Sequence, residues 1–188
     1  MKQIKQLLWV LFGIVCFVQI GVIASQIMSY ERVLKEGDVF YFNVLPADPY
    51  DPFRGRYVTL RFQNANSARL AKDEIAEEKS KGYAILEHQE KGDVIKEIRF
   101  KKPAHGDFLE VNVHSMAYIK QDDSHSVYFS LPFDRFYMRE DIAPKAEKVL
   151  RARSGVTVKA KLRVQKGKGV IEDLMVGQTP LSQYVLIQ

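Results

Sequence analysis

Hydrophobic positions follow two different rules along this chain. Residues 7–28, LLWVLFGIVCFVQIGVIASQIM, run for 22 positions without a charge, close to the ~20 residues that an α-helix needs to cross about 30 Å of hydrocarbon. Every face of that segment is apolar, so a transmembrane helix is predicted rather than a buried amphipathic one. Beyond residue 38 the apolar residues come instead in short runs with a period of two. In VTVKAKLRV, residues 156–164, Val156, Val158, Ala160, Leu162 and Val164 share one face while Thr157, Lys159, Lys161 and Arg163 share the other, the signature of a half-buried strand. Strands are predicted over 39–45, 57–62, 83–87, 94–100, 108–114, 127–133, 156–165 and 169–175, where aromatic and β-branched residues concentrate. Turn residues punctuate them at Lys91-Gly92-Asp93, His105-Gly106-Asp107, Gln121-Asp122-Asp123-Ser124 and Lys166-Gly167-Lys168-Gly169. Two segments, 67–79 and 139–151, are rich in Ala, Glu, Lys and Leu and are expected to be short helices. The prediction is a mainly β (or α+β) fold: an N-terminal transmembrane helix, then a mostly antiparallel sandwich or partly closed barrel with two short helices.

The charges flanking the apolar run orient it. Lys2, Lys5 and the α-amine precede it, and the positive-inside bias then keeps residues 1–6 in the cytoplasm and exports the chain beyond the helix. Trp9 suits an interface near one end of the span. The expected organisation is a cytoplasmic N-terminus over 1–6, a transmembrane helix over 7–28, a charged juncture over 29–38 and one extracytoplasmic β-rich domain over 39–188. A cleaved signal peptide, cut after Val22-Ile23-Ala24, is the competing reading. The apolar run exceeds the ~7 to 15 residues of a signal core, which favours a retained anchor.

Composition narrows the chemistry. Cys16 is the only cysteine and falls inside the anchor, so the β-rich domain has neither a disulfide framework nor a cysteine nucleophile nor a zinc-thiolate site. Removing Lys2 and Lys5 from the 28 basic residues leaves 26 against 23 acidic ones. These charges alternate in sign rather than forming a stripe, so a nucleic-acid surface is not expected. His88, His105, His114 and His125 show no i, i+4 pairing or Cys/His clustering, and no metal site or cofactor is predicted. Gly167 and Gly169 flank Lys168 in a hairpin context, not in a loop opening a helix, so a tight turn is preferred over a phosphate loop.

The candidate site lies in DPYDPFRGRYVTLRF, residues 48–62. Proline fixes φ and restricts its predecessor, so Asp48-Pro49 and Asp51-Pro52 form a stiff corner whose carboxylates can cap amides or pair with Arg54 or Arg56. Gly55 then opens a run in which Tyr57, Thr59 and Arg61 alternate with Val58, Leu60 and Phe62. The run Gly55-Arg56-Tyr57-Val58-Thr59-Leu60-Arg61-Phe62 resembles the motif of the GDYXXLXY domain family, membrane-anchored bacterial proteins. Gly55, Tyr57 and Leu60 match; Arg56 stands for the family's Asp and Phe62 for its final Tyr. The resemblance extends to FDRFYMRED, residues 133–141, where Arg135, Tyr137 and Glu140 join Asp48, Asp51, Arg54, Gly55, Tyr57 and Leu60 as candidate binding or structural positions. Relatives often accompany polytopic membrane proteins, so the resemblance implies a protein partner in a bacterial cytoplasmic membrane and envelope, more readily than a reaction.

Residues 128–137 also form the densest aromatic stretch of the exported part. It serves either as sheet core or as a stacking surface for a ligand or protein. The leading expectation is thus a tethered domain that binds or organises an envelope partner. The alternatives are an envelope hydrolase using Asp48, Asp51 or Glu140 with Arg54, or a small-ligand sensor with an aromatic cavity.

Overall fold

The computed structural model describes residues 2–45, 57–76, 80–150 and 156–187. Helix α1 (Lys2–Glu36) is 35 residues long, or roughly 50 Å at the α-helical rise. From Ile4 to Met28 its large apolar side chains stand exposed, and burial begins only at its C-terminal end, where Val33 is 2% exposed. The helix is long and apolar enough to span a membrane. The segment expected as a juncture is therefore helical through Glu36, and its last two turns are part of the folded body. Gly37 ends it: the Gly37 N–H donates to the Val33 carbonyl at 2.9 Å, satisfying one of the carbonyls that a helix end leaves open.

Among the described residues, twelve strands and two further helices come after it: β1 (Asp38–Leu45), β2 (Tyr57–Thr59), β3 (Arg61–Phe62), β4 (Ser67–Leu70), β5 (Lys81–Glu87), β6 (Val94–Arg99), β7 (Phe108–Ile119), β8 (Ser124–Ser130), β9 (Arg135–Tyr137), α2 (Ala143–Leu150), β10 (Val158–Gln165), β11 (Lys168–Val176), β12 (Thr179–Pro180) and α3 (Leu181–Ile187). The fold is mainly β, as the period-two runs predict. Strands β4-β6-β5-β7-β8 close into a barrel, and β12-β11-β10-β1-β3 form a five-stranded sheet beside it. The barrel is closed completely, by a parallel β4–β6 pair and an antiparallel β4–β8 pair.

One core runs through both parts. On the sheet, Phe40 faces Leu162 and Phe42 faces Ala160 across the β1–β10 ladder, all fully buried. In the barrel, Leu70, Ala84, Leu86, Ile98, Leu109, Val111, Val127 and Phe129 are buried and belong to the same cluster. Apolar faces at this spacing collapse together because burial stabilises them by roughly 25 cal/mol per Å². Helix α2 and the residue before it add Ile142, Ala143, Ala146, Val149 and Leu150 to the buried set at helical spacing.

Two expected elements differ. Of the helix expected over 67–79, residues 67–70 are strand β4 and 71–76 are turn or irregular; the remainder lies outside the described residues. The Ala68 and Leu70 side chains point inward while Ser67 and Arg69 are exposed, so barrel closure overrides the modest helix preference of the stretch. The strand expected over 57–62 is cut at Leu60. Its first half pairs with β9 and its second half with β1, in different sheets. Strand β9 and helix α3 have no counterpart among the expected elements, whereas the helix expected over 139–151 is present as α2.

Two devices join sheet and barrel. The β10–β11 hairpin turns through Lys166 and Gly167 with φ of 51° and 88°, the two positive values that a type I′ turn requires. Its tip reaches the barrel, where the Glu110 N–H donates to the Gly167 carbonyl at 2.8 Å. Asp93, in the β5–β6 turn, reaches the sheet: its Oδ2 accepts from the Tyr41 N–H at 2.5 Å, and its N–H donates to the Tyr41 carbonyl at 2.9 Å.

Candidate functional site

The family-like motif and the aromatic segment are 78 positions apart between Tyr57 and Arg135, yet the chain pairs them directly. Strand β2 lies antiparallel to β9, with Tyr57 opposite Tyr137, Val58 opposite Phe136 and Thr59 opposite Arg135. Leu60 is the pivot at the end of β2. It is 3% exposed, and its N–H donates to the Asp134 carbonyl at 2.7 Å. The conformational role of Leu60 is thus to anchor the ribbon in the core, while β9 exposes Arg135 and Tyr137 and packs Phe136 against the core.

Strand β9 forms one wall of a cleft of about 640 Å³, within the size range of sites for small ligands. The β10–β11 hairpin from Gly167 to Ile171 also lines it, with Glu110 and Asn112 of β7. Tyr30 of α1 adds to the lining. Phe133, Phe136 and Tyr137 supply aromatic surface; Arg135 and Lys168 supply positive charge. Gly169 lets the hairpin approach this closely, since a Cβ there would lie 2.5 Å from Leu109 Cδ2 and 2.8 Å from Phe133 Cε1.

The polar groups of the cleft are held from outside it. Lys168 Nζ donates to Ser29 Oγ at 2.6 Å and sits 5.6 Å from the centre of the Tyr30 ring. This ties the hairpin to the last part of α1. Glu110 receives Lys81 Nζ at 2.8 Å, and that contact raises the lysine pKa above its ordinary value through the hydrogen bond first and the charge second. Arg135 Nε is 3.6 Å from the Asp134 carboxylate. On the far side of the hairpin, Glu172 binds Lys161 Nζ at 2.6 Å and Arg163 Nε at 2.5 Å, and Arg163 also donates to the Gly37 carbonyl at 3.0 Å. Burial works to raise the Glu172 pKa, but the two cations outweigh it and leave it lowered.

A second polar cluster lies outside the expected site. Asp93 Oδ1 lies 2.9 Å from His88 Nδ1 and accepts from the Gln89 N–H at 3.3 Å, while the His88 ring stacks on Phe40 at 4.4 Å. Nearby, burial first and the Asp38 carboxylate second raise the Asp107 pKa. This cluster clamps the β5–β6 turn onto β1. The one sequence signal for it is an acidic residue after glycine in the Lys91-Gly92-Asp93 turn. Among the described residues, no group of three or more His, Cys, Asp and Glu side chains could hold a metal ion.

The expected site residues therefore divide. Arg135 and Tyr137 line the cleft, Tyr57 belongs to the strand paired with that wall, and Leu60 is core. Glu140 is exposed beyond β9, outside the cleft lining. Asp48, Asp51, Arg54 and Gly55 lie outside the described residues. Lys168, Glu110 and Tyr30 are not among the expected residues, because only the hairpin and helix packing bring them together.

No curated protein and no solved structure matches the chain. A family model described as GDYXXLXY protein matches residues 19–174. That match begins inside α1, includes the β2–β9 ribbon with both walls of the cleft and ends in β11, and on its extent the chain belongs to the GDYXXLXY family.

Proposed function

We propose that the protein is a single-pass, membrane-tethered module of the bacterial cytoplasmic membrane whose extracytoplasmic β-rich body binds or organises a membrane or envelope protein partner. The observation that carries this reading is the stiff junction between anchor and body. Helix α1 runs without a break into packing against β10 and β11, and the contacts of Gly37, Arg163 and Lys168 leave no flexible linker among the described residues there. A flexible tether would only concentrate the domain near a surface. A rigid one also presents the same face to every neighbour in the bilayer, so confinement and orientation both favour association with a membrane partner.

The charge pattern supports the topology. Lys2, Lys5 and the α-amine precede the apolar run, and only Arg32 and Lys35 closely succeed it. Protease added to spheroplasts should digest the β-rich body without lysis. Protection until lysis would reverse the topology.

Photocrosslinking in intact membranes tests the partner. A photoreactive side chain at Arg135 or Tyr137 should capture a discrete envelope protein, and the Arg54→Ala/Tyr57→Ala variant should reduce that capture. Recovery of abundant background species alone, equal in both forms, defeats the reading.

A further inference from the structure

We propose that the cleft between β9 and the β10–β11 hairpin binds the phosphate-bearing headgroup of an anionic membrane lipid. Its place relative to the anchor is the first argument. Tyr30 lines the cleft and lies two positions after Met28, the last residue of the apolar segment 7–28. Two residues of helix advance the chain by about 3 Å. When residues 7–28 fill the hydrocarbon, the Tyr30 end of the cleft is at the level of the headgroups, where tyrosine is at home.

Charge is the second argument. Lys168, in the lining, donates to Ser29 Oγ and sits over the Tyr30 ring, both uncharged, so neither contact offsets its ammonium and one of its three donors is used. Arg135 also belongs to the lining, with the Asp134 carboxylate 3.6 Å from its Nε. Glu110, the carboxylate of the lining, is matched by Lys81. With both lining carboxylate and arginine matched, Lys168 is the cation that favours an anion here, and a phosphate suits a lysine ammonium.

Shape is the third. Phe133 and Phe136 offer an apolar wall beside the cations, which fits the glycerol and first methylenes attached to a phosphate. A volume of about 640 Å³ accommodates a headgroup and leaves the acyl chains in the bilayer. The assignment rests on α1 spanning the membrane, not on the identity of a protein partner or on which leaflet is involved.

The test uses the full chain in nanodiscs of mixed phosphatidylglycerol and phosphatidylcholine, released into a native mass spectrometer. Incorporation into the discs tests the anchor, and the lipids that remain bound test the cleft. The wild type should retain phosphatidylglycerol preferentially, and Lys168→Gln should lower that retention about fivefold, the scale of one lysine acting near a charged headgroup. Arg135→Gln, beside the Asp134 carboxylate, should give a smaller loss; Lys168→Arg should preserve binding, and Lys102→Gln, an exposed cation outside the cleft, should change nothing. Equal retention of the two lipids, an equal loss in Lys102→Gln, or full occupancy by glycerol 1-phosphate with no lipid present would each overturn the proposal.

Discussion

Replacing Gly37 by alanine should loosen the joint between helix α1 and the β-rich body. A Cβ at this position would lie 2.5 Å from the Val33 carbonyl oxygen, 3.0 Å from the Val164 carbonyl oxygen and 3.1 Å from the Val164 nitrogen. All three are backbone atoms, so no side chain can swing aside. Overpacking of this kind costs about 1 to 3 kcal/mol. Alanine also restricts the unfolded chain, which offsets about 0.4 to 1 kcal/mol. The clash wins, and the net loss is about 1 to 2 kcal/mol. For a chain of this size that lowers Tm by roughly 2 to 8 °C. The strain falls on the Gly37–Val33 bond, the Arg163 contact to the Gly37 carbonyl and the first β1–β10 pair, Asp38 with Val164. Thermal unfolding of the full chain in micelles, monitored by near-ultraviolet circular dichroism, reads the first effect. Spin labels at Cys16 and at Gln183→Cys read the second, as a broader distance distribution. An alanine variant with a higher Tm and an unchanged distribution would refute the argument that close backbone approach holds this joint.

Asp93→Ala should destabilise the protein by about 2 to 3 kcal/mol in urea titration, since it strips an acceptor from the Tyr41 and Gln89 amides and from His88; Asp93→Asn should recover part of the loss, and a loss below 0.5 kcal/mol, roughly surface-substitution scale, contradicts the clamp. Glu172 has its pKa lowered, so its stabilisation is present above the ordinary glutamate range and is lost as pH falls through the lower folded value. Glu172→Gln should therefore lower Tm at pH 7 and reduce the loss of stability on acidification in calorimetry. Asp107 runs the other way: its raised pKa makes its contribution complete below the ordinary aspartate range and lost as pH rises through the folded value. Asp107→Asn should raise Tm at neutral pH and change it little in acid, and a fall at neutral pH would show the carboxylate to be needed.

The amino-acid order alone determined those features whose cause is local. An uncharged run of 22 residues, 7–28, is apolar on every face whatever else the chain does, and the alternation in 156–164 allows only one face of β10 to be buried. The turn at Lys166-Gly167 is equally local, because its residues set its φ values. The motif run and the aromatic segment are both visible as candidates, but nothing in either indicates that β2 lies along β9. That pairing closes a long loop and is stabilised only when both strands meet the common core through Leu60 and its neighbours. Strand β4 reads as helix in the sequence because Ala, Glu and Lys downstream favour a helix weakly, while the inward Leu70 and the β6 and β8 ladders favour a strand more strongly. Helix α3 leaves a fainter signal, the i, i+4 pair of Leu181 and Val185, in a run too short to nucleate by itself. The cleft belongs wholly to tertiary structure. Tyr30, Glu110, Arg135 and Lys168 come from a helix and three strands far apart in the chain, and only packing the barrel against the sheet sets their chemistry on one surface.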